Sequence, residues 1–306
     1  MLYPLLKIWI RLALNIFCRS RVVTGRSYLQ KKGPGIITAN HPNSFLDAII
    51  IGSACKYPVY FLARGDAFNK PWHNRVLRLL QMIPVYRMQE GKENLGRNEL
   101  AFRQSEAVVR SGGIVLVFIE GVCVNKHALQ PFKKGAARIA LACRDLEKLW
   151  IAPLGIAYDS FSGVGKQVII QAGKPISPAE VFTDQEAVKN MHHLNERLFG
   201  EIGALIQIPP KKAVEKNRQI LLIPALVGTI LHRPIYQFIK NVVKAKTTGT
   251  VFFDSVLFSV LLIAYPVYLL LVGLLLLLLG IGPLWVPGLI ILHPLTAWCA
   301  TRLKGV

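Results

Sequence analysis

The chain predicts an α/β fold: a central mixed, largely parallel sheet flanked by helices, followed by a C-terminal transmembrane helical hairpin. Three observations carry that expectation. Between residues 35 and 206, short apolar runs alternate with longer helix-like stretches, as strands and crossover helices do. Ile114 to Ile119 is apolar without a break, the pattern of a strand buried on both faces. From Val251 to Thr301 the only charged residue is Asp254.

The elements follow in order. Lys7 and Arg11 are four apart and share one side of a helix, while Leu5, Ile8, Trp9, Leu12 and Ile16 cover the other. Residues 1–28 therefore read as an amphipathic, membrane-associating helix, or as a helix packed on the domain. The segment is too short and too charged for a comfortable span, and no small-residue cleavage site follows it, so a secretory signal is not expected. Residues 29–210 form the α/β domain. Its strands are expected at Gly35–Ala39, Val59–Leu62, Ile83–Tyr86, Ile114–Ile119, Trp150–Tyr158 and Gln167–Gln171. Its helices are expected at Trp72–Leu80, Glu99–Arg110, Phe132–Cys143 and Asp184–Ile206, with residues 88–98 as a loop. Pro209-Pro210 ends the domain. Residues 211–250 are basic and broken by Pro224 and Pro234, and read as an interfacial linker. Residues 251–306 hold two spans, near 255–279 and 283–301, split at Gly280-Ile281-Gly282-Pro283. Lys240, Lys244 and Lys246 precede the pair, and Arg302 and Lys304 follow it. Basic flanks on both sides put both ends, and the α/β domain with them, on the cytoplasmic face.

Composition narrows the function classes. A chain of 306 residues that is 52% hydrophobic yet carries a formal charge of +20 suits a membrane surface or a phosphate-bearing substrate. No basic segment interleaves with aromatics as single-strand readers require, so a nucleic-acid partner is not expected. The cysteines at 18, 55, 123, 143 and 299 form no metal-ligand spacing, and His192-His193 reads as helix surface, so no metal is expected.

The chemistry gathers after the first strand of the domain, where Asn40-His41 is followed by Asp47. An imidazole titrates near neutrality, at about 6.5, and held by a carboxylate it can take the proton of an alcohol. Three further blocks follow: Ile83-Pro84-Val85-Tyr86-Arg87, then Phe118-Ile119-Glu120-Gly121 with Pro131-Phe132-Lys133-Lys134-Gly135, then Ile151-Ala152-Pro153-Leu154. In this order the four blocks resemble the PlsC-like glycerolipid acyltransferase family, over roughly residues 30–175. The resemblance implies the glycerolipid acyltransferase fold and transfer of a fatty acyl chain from acyl-CoA or acyl-carrier protein to a lysophosphatidic acid-like acceptor, without a further cofactor. It implies His41 as base with Asp47 as its partner, and Arg87 on the acceptor phosphate. Membrane lipids are the expected partners; oligomeric state is not legible.

The chain departs from that pattern. Five residues, Pro42 to Leu46, separate His41 from Asp47, one more than the family's usual spacing. On a regular helix the insertion would turn Asp47 by ~100°. A loop from His41 to Asn43, with the helix starting near Ser44, would absorb it. Val122-Cys123-Val124 stands where the third block ordinarily carries an arginine, and Gln81 where the second ordinarily carries glycine. Lys133 and Lys134, at an expected helix start, are candidates to replace that arginine on phosphate, with Arg64 a further one. Glu120 and Gly121 are candidates for the acceptor hydroxyl, and Asn40 for the oxyanion. Glycerol-3-phosphate, a lyso-aminolipid, or a non-catalytic lipid-binding role remain open alternatives at this level.

Overall fold

The computed structural model describes residues 2–86, 95–183, 186–210 and 218–303. Seven strands form one sheet: β1 (Cys18–Thr24), β2 (Gly35–Ala39), β3 (Tyr60–Arg64), β4 (Met82–Val85), β5 (Ile114–Phe118), β6 (Trp150–Tyr158) and β7 (Lys166–Ala172). Their order is β1-β7-β6-β2-β5-β3-β4. Every neighbouring pair is parallel except β6–β7. The C-terminal ends of β2, β3, β4, β5 and β6 therefore share one edge. That edge receives the residues after each strand, the usual place for a site in an open α/β sheet.

Neighbouring residues on β2 face opposite ways, and the core divides accordingly. Ile37 joins Leu116, Leu154 and side chains of α1 (Leu2–Phe17) and α3 (Phe45–Ala54) in one cluster. Ile36 joins Val115, Val117 and side chains of α5 (Leu95–Arg110), α6 (Gly135–Ala142) and α7 (Ala187–Leu205) in the other. A short α2 (Arg26–Leu29) and α4 (Pro71–Leu79) complete the α/β part.

Three expectations are corrected. Residues 18–24 are not part of an N-terminal helical segment but edge strand β1, paired with β7 alone. Its sequence, Cys-Arg-Ser-Arg-Val-Val-Thr, lacks apolar alternation because Arg19 is buried on an ion pair with Asp159 at 3.0 Å while Val22 is exposed. Residues 218–247, read as a linker, form one continuous helix, α8 (Arg218–Thr247), with both prolines inside it. The expected hairpin, α9 (Phe253–Leu278) and α10 (Val286–Leu303), is thus joined by a third helix, and α10 packs along α8 so closely that a Cβ on Gly228 would collide with the Thr296 carbonyl. Nor does this unit stand apart: Ile239, Val243, Leu257 and Phe258 lie in the same core cluster as Ile37. Gln219–Thr247 and Phe253–Leu278 are long and apolar enough to cross a membrane.

In α1 the charged side faces the protein. Arg11 Nε donates to the Ser53 carbonyl at 2.7 Å, and Lys7 Nζ donates to the carbonyls of Cys55 and Lys56. Both cations thus serve the C-terminus of α3, where carbonyls lack helical partners. The apolar residues are left facing outward, with Leu5 64%, Ile8 55% and Leu12 54% exposed.

Candidate active site

β2 delivers Asn40 and His41 to the shared sheet edge. Asn40 is buried, and its amide is committed to β6: Nδ2 donates to the Ile156 carbonyl at 2.9 Å, and Oδ1 accepts from Ile156 N–H at 2.8 Å. It ties two strands together and does not face a substrate, which corrects its assignment to the oxyanion. The chain then turns through Pro42 and Asn43. Ser44 takes φ 53°, a left-handed value that costs a non-glycine residue about 1–3 kcal/mol. Its N–H donates to Cys123 Sγ at 2.9 Å. Helix α3 starts at Phe45, with Asp47 in its first turn. The inserted residue is taken up in this loop, so Asp47 is not rotated away.

Three donors converge on Asp47, which is fully buried. Oδ2 accepts from His41 Nδ1 at 2.9 Å and from Asn43 N–H at 2.8 Å; Oδ1 accepts from the Tyr158 hydroxyl at 2.6 Å. An ionised carboxylate only accepts, so Nδ1 carries the proton and Nε2 presents its lone pair. The imidazole lies flat on Phe118, with centroids 3.8 Å apart and planes 13° apart, and its side chain is 17% exposed. Burial first, then the Asp47 charge, pushes the Tyr158 hydroxyl well above its ordinary value, so it remains a donor. Tyr158 was absent from the sequence candidates; its only signal was its place at the end of the wholly buried strand β6.

Glu120 is buried just beyond β5. Its Oε2 accepts from His41 N–H at 3.3 Å and its Oε1 from Gln130 N–H at 3.2 Å. Desolvation pushes its carboxyl above the usual range, against the pull of those two N–H groups. Glu120 thus holds main chain on both sides of the turn. Gly121 serves the turn: its φ is +64°, and a Cβ there would stand 2.9 Å from Lys133 Cγ.

Lys133 therefore lies across the turn that supports His41. It and Lys134 are exposed, and Lys134 is the N-cap of α6. Arg64, at the end of β3, is also exposed, but both oxygens of Asp66 already engage its guanidinium. Arg87 lies outside the described residues. The strand before it ends at the same edge, where the Asn98 side chain accepts from Tyr86 N–H at 2.7 Å and donates to its carbonyl at 2.6 Å.

The site draws its remaining support from α9. Asp254 accepts from Asn43 Nδ2 at 3.0 Å, from Gly163 N–H at 2.7 Å and from Lys166 Nζ. Ser255 Oγ accepts from Leu46 N–H and donates to the Asn43 carbonyl, both at 3.0 Å.

Residues 20–157 match the family model described as Acyltransferase. Among solved structures, the crystal structure of the 1-acyl-sn-glycerophosphate (LPA) acyltransferase, PlsC, from Thermotoga maritima is similar at 19% identity and TM-score 0.47, over 65% of this chain and 77% of that one. No curated protein sequence matches.

Proposed function

We propose that the chain, whose residues 20–157 match the acyltransferase family model, is a membrane-bound O-acyltransferase of phospholipid synthesis. It moves a fatty acyl chain from a thioester donor, acyl-CoA or acyl-carrier protein, to the hydroxyl of a lysophosphatidic acid-like acceptor. The observation that carries this reading is the His41–Asp47 contact of 2.9 Å at the sheet edge, with Nε2 left unbonded by any described protein group. The inserted residue between His41 and Asp47 would favour a non-catalytic lipid-binding role only if it parted the two side chains, and the loop absorbs it.

The step follows from the residues. Nε2 takes the acceptor's hydroxyl proton as its oxygen bonds to the thioester carbon. The resulting oxyanion is met by backbone N–H groups, since the Asn40 amide is engaged elsewhere. The carbon–sulfur bond then breaks, and the leaving thiolate takes the proton back from the imidazolium. Asp47 stabilises that imidazolium while it exists, as the acid of a Ser-His-Asp triad does, but here the substrate supplies the nucleophile. The thioester enters as substrate, and no enzyme-bound acyl group is formed. Lys133 and Lys134 are the ligands assigned to the acceptor phosphate, together with Arg87.

Membrane attachment is supported by two helices of spanning length and by the outward apolar face of α1. The basic flanks of the C-terminal helices favour a catalytic domain on the cytoplasmic face. The test is a lysolipid panel, offered with both donor types in detergent or vesicles, on wild type and His41→Ala. Transfer to a phosphate-bearing lysolipid that vanishes in the variant is the expected result. Equal transfer by both proteins, or none by wild type to any acceptor, overturns the reading.

A further inference from the structure

The sequence singled out Asp254 as the lone charge in a greasy tail, and nothing in the acyl-transfer step uses it. Its surroundings say what it is for. Asp254 and Ser255 are buried in the first turn of α9, and Lys166, Asn43 and the start of α3 are buried against them. A carboxylate suits that turn, because the helix N-terminus favours negative charge. Asn43 sits between His41 and Asp47 in the chain and is gripped at three points. Its N–H donates to Asp47, its Nδ2 to Asp254, and its carbonyl accepts from Ser255 Oγ. Ser255 also takes the Leu46 N–H, on the far side of the left-handed Ser44. The two α9 residues therefore brace the loop at both ends of its strained residue, and that loop is where the inserted residue is accommodated.

We propose that Asp254 and Ser255 are positioning residues for the His41–Asp47 pair, which makes the first turn of α9 part of the active site. The C-terminal helices then do more than anchor the enzyme: they fix the distance between base and carboxylate. The proposal rests on the reading of His41 and Asp47 as the reacting pair. Neither residue touches substrate, so both act through the loop.

The test uses the full chain in detergent, with a thioester donor and the best lysolipid acceptor. Ser255→Ala removes two hydrogen bonds and no charge. It is expected to lower kcat about 10- to 100-fold, the scale of a small misplacement of reacting groups, with both KM values held within about twofold. Ser255→Thr, which restores the hydroxyl, is expected to recover most of the rate. Asp254→Asn alone would take the counter-charge from buried Lys166, so that pair is replaced together, as Lys166→Met with Asp254→Asn. Combined with Asp47→Asn, the Ser255→Ala change should cost no more than about twofold further, because residues acting as one unit are not additive. An unchanged kcat, a loss expressed in KM, or full multiplication with Asp47→Asn overturns the positioning role while leaving the pair intact. Undiminished activity in His41→Ala overturns the pair itself, and the positioning role with it.

Discussion

Replacing Asp47 with asparagine keeps the side chain's shape and removes its charge, and the surrounding donors dictate how the amide must sit. Two donors meet Oδ2, from His41 and Asn43, and one meets Oδ1, from Tyr158. An NH2 group in the Oδ2 place would face two N–H groups. In the Oδ1 place it faces a hydroxyl, which can turn and accept. The amide oxygen therefore stays toward His41, and the imidazole keeps its tautomer. What disappears is the charge that steadies the imidazolium. A hydrogen bond to a charged partner contributes about 1.5–3 kcal/mol, so at roughly 1.4 kcal/mol per decade kcat should fall about 10- to 150-fold. A flipped tautomer would cost much more, on the order of 10⁴-fold in the analogous aspartate of a serine protease. Initial rates at saturating donor and acceptor, with folding checked by thermal unfolding, decide between them. A loss near 10⁴ would refute the three-donor account of Asp47, and an unchanged kcat would refute its partnership with His41.

Tyr158→Phe removes the Oδ1 donor and should destabilise the fold by about 1–3 kcal/mol, read as a lowered Tm, because a buried carboxylate oxygen is left without its partner. Glu120→Gln turns an NH2 toward one of two backbone N–H groups and should also lower stability in urea unfolding. Burial raises the Glu120 carboxyl in the folded state, so its contribution is fully present below its unfolded value of about 4.3 and is lost as pH rises through the raised value. The gap between wild type and variant should therefore narrow from acid toward neutral pH. Alanine at Lys133 and Lys134, or at Arg87, should raise KM for a phosphate-bearing lysolipid severalfold with kcat little changed; no effect at any of the three would point to an acceptor without phosphate. Burial pushes the thiols of Cys18 and Cys143 up to about 11 and that of Cys55 up to about 12, so a maleimide at neutral pH should spare all three and label half-buried Cys123. Labelling there should slow transfer, since Cys123 Sγ holds Ser44 N–H; mass spectrometry of the peptides and residual rate check both.

Much of the α/β domain was legible because its signals are local. Strands β2, β5 and β6 are short apolar runs covered on both faces, and the observed bounds differ by a residue at most from those expected. The pairing of His41 with Asp47 was legible the same way, because the two residues are close in the chain. Gln81 shows why the second block ordinarily has glycine: it takes φ 61°. Edge strand β1 and the helical continuity of α8 were not legible. A strand that buries an ion-paired Arg19 and exposes Val22 loses the period-2 pattern, and two prolines in an apolar stretch read as breaks unless neighbouring helices make up for the missing N–H groups.

Residue order was enough to say that a histidine and an aspartate lie near one end of a sheet strand, and that a greasy C-terminal segment follows. Which polar groups face substrate was a matter of three-dimensional packing. Asn40 and Glu120 looked like ligands, yet their side chains are consumed by main-chain groups 116 and 79 residues away. Tyr158 and Asp254 looked like a strand end and an odd charge, yet they meet Asp47 and Asn43 from 111 and 211 residues away. A buried polar atom must find a partner, and at such separations the partner is set by where the sheet and helices bring the chain together.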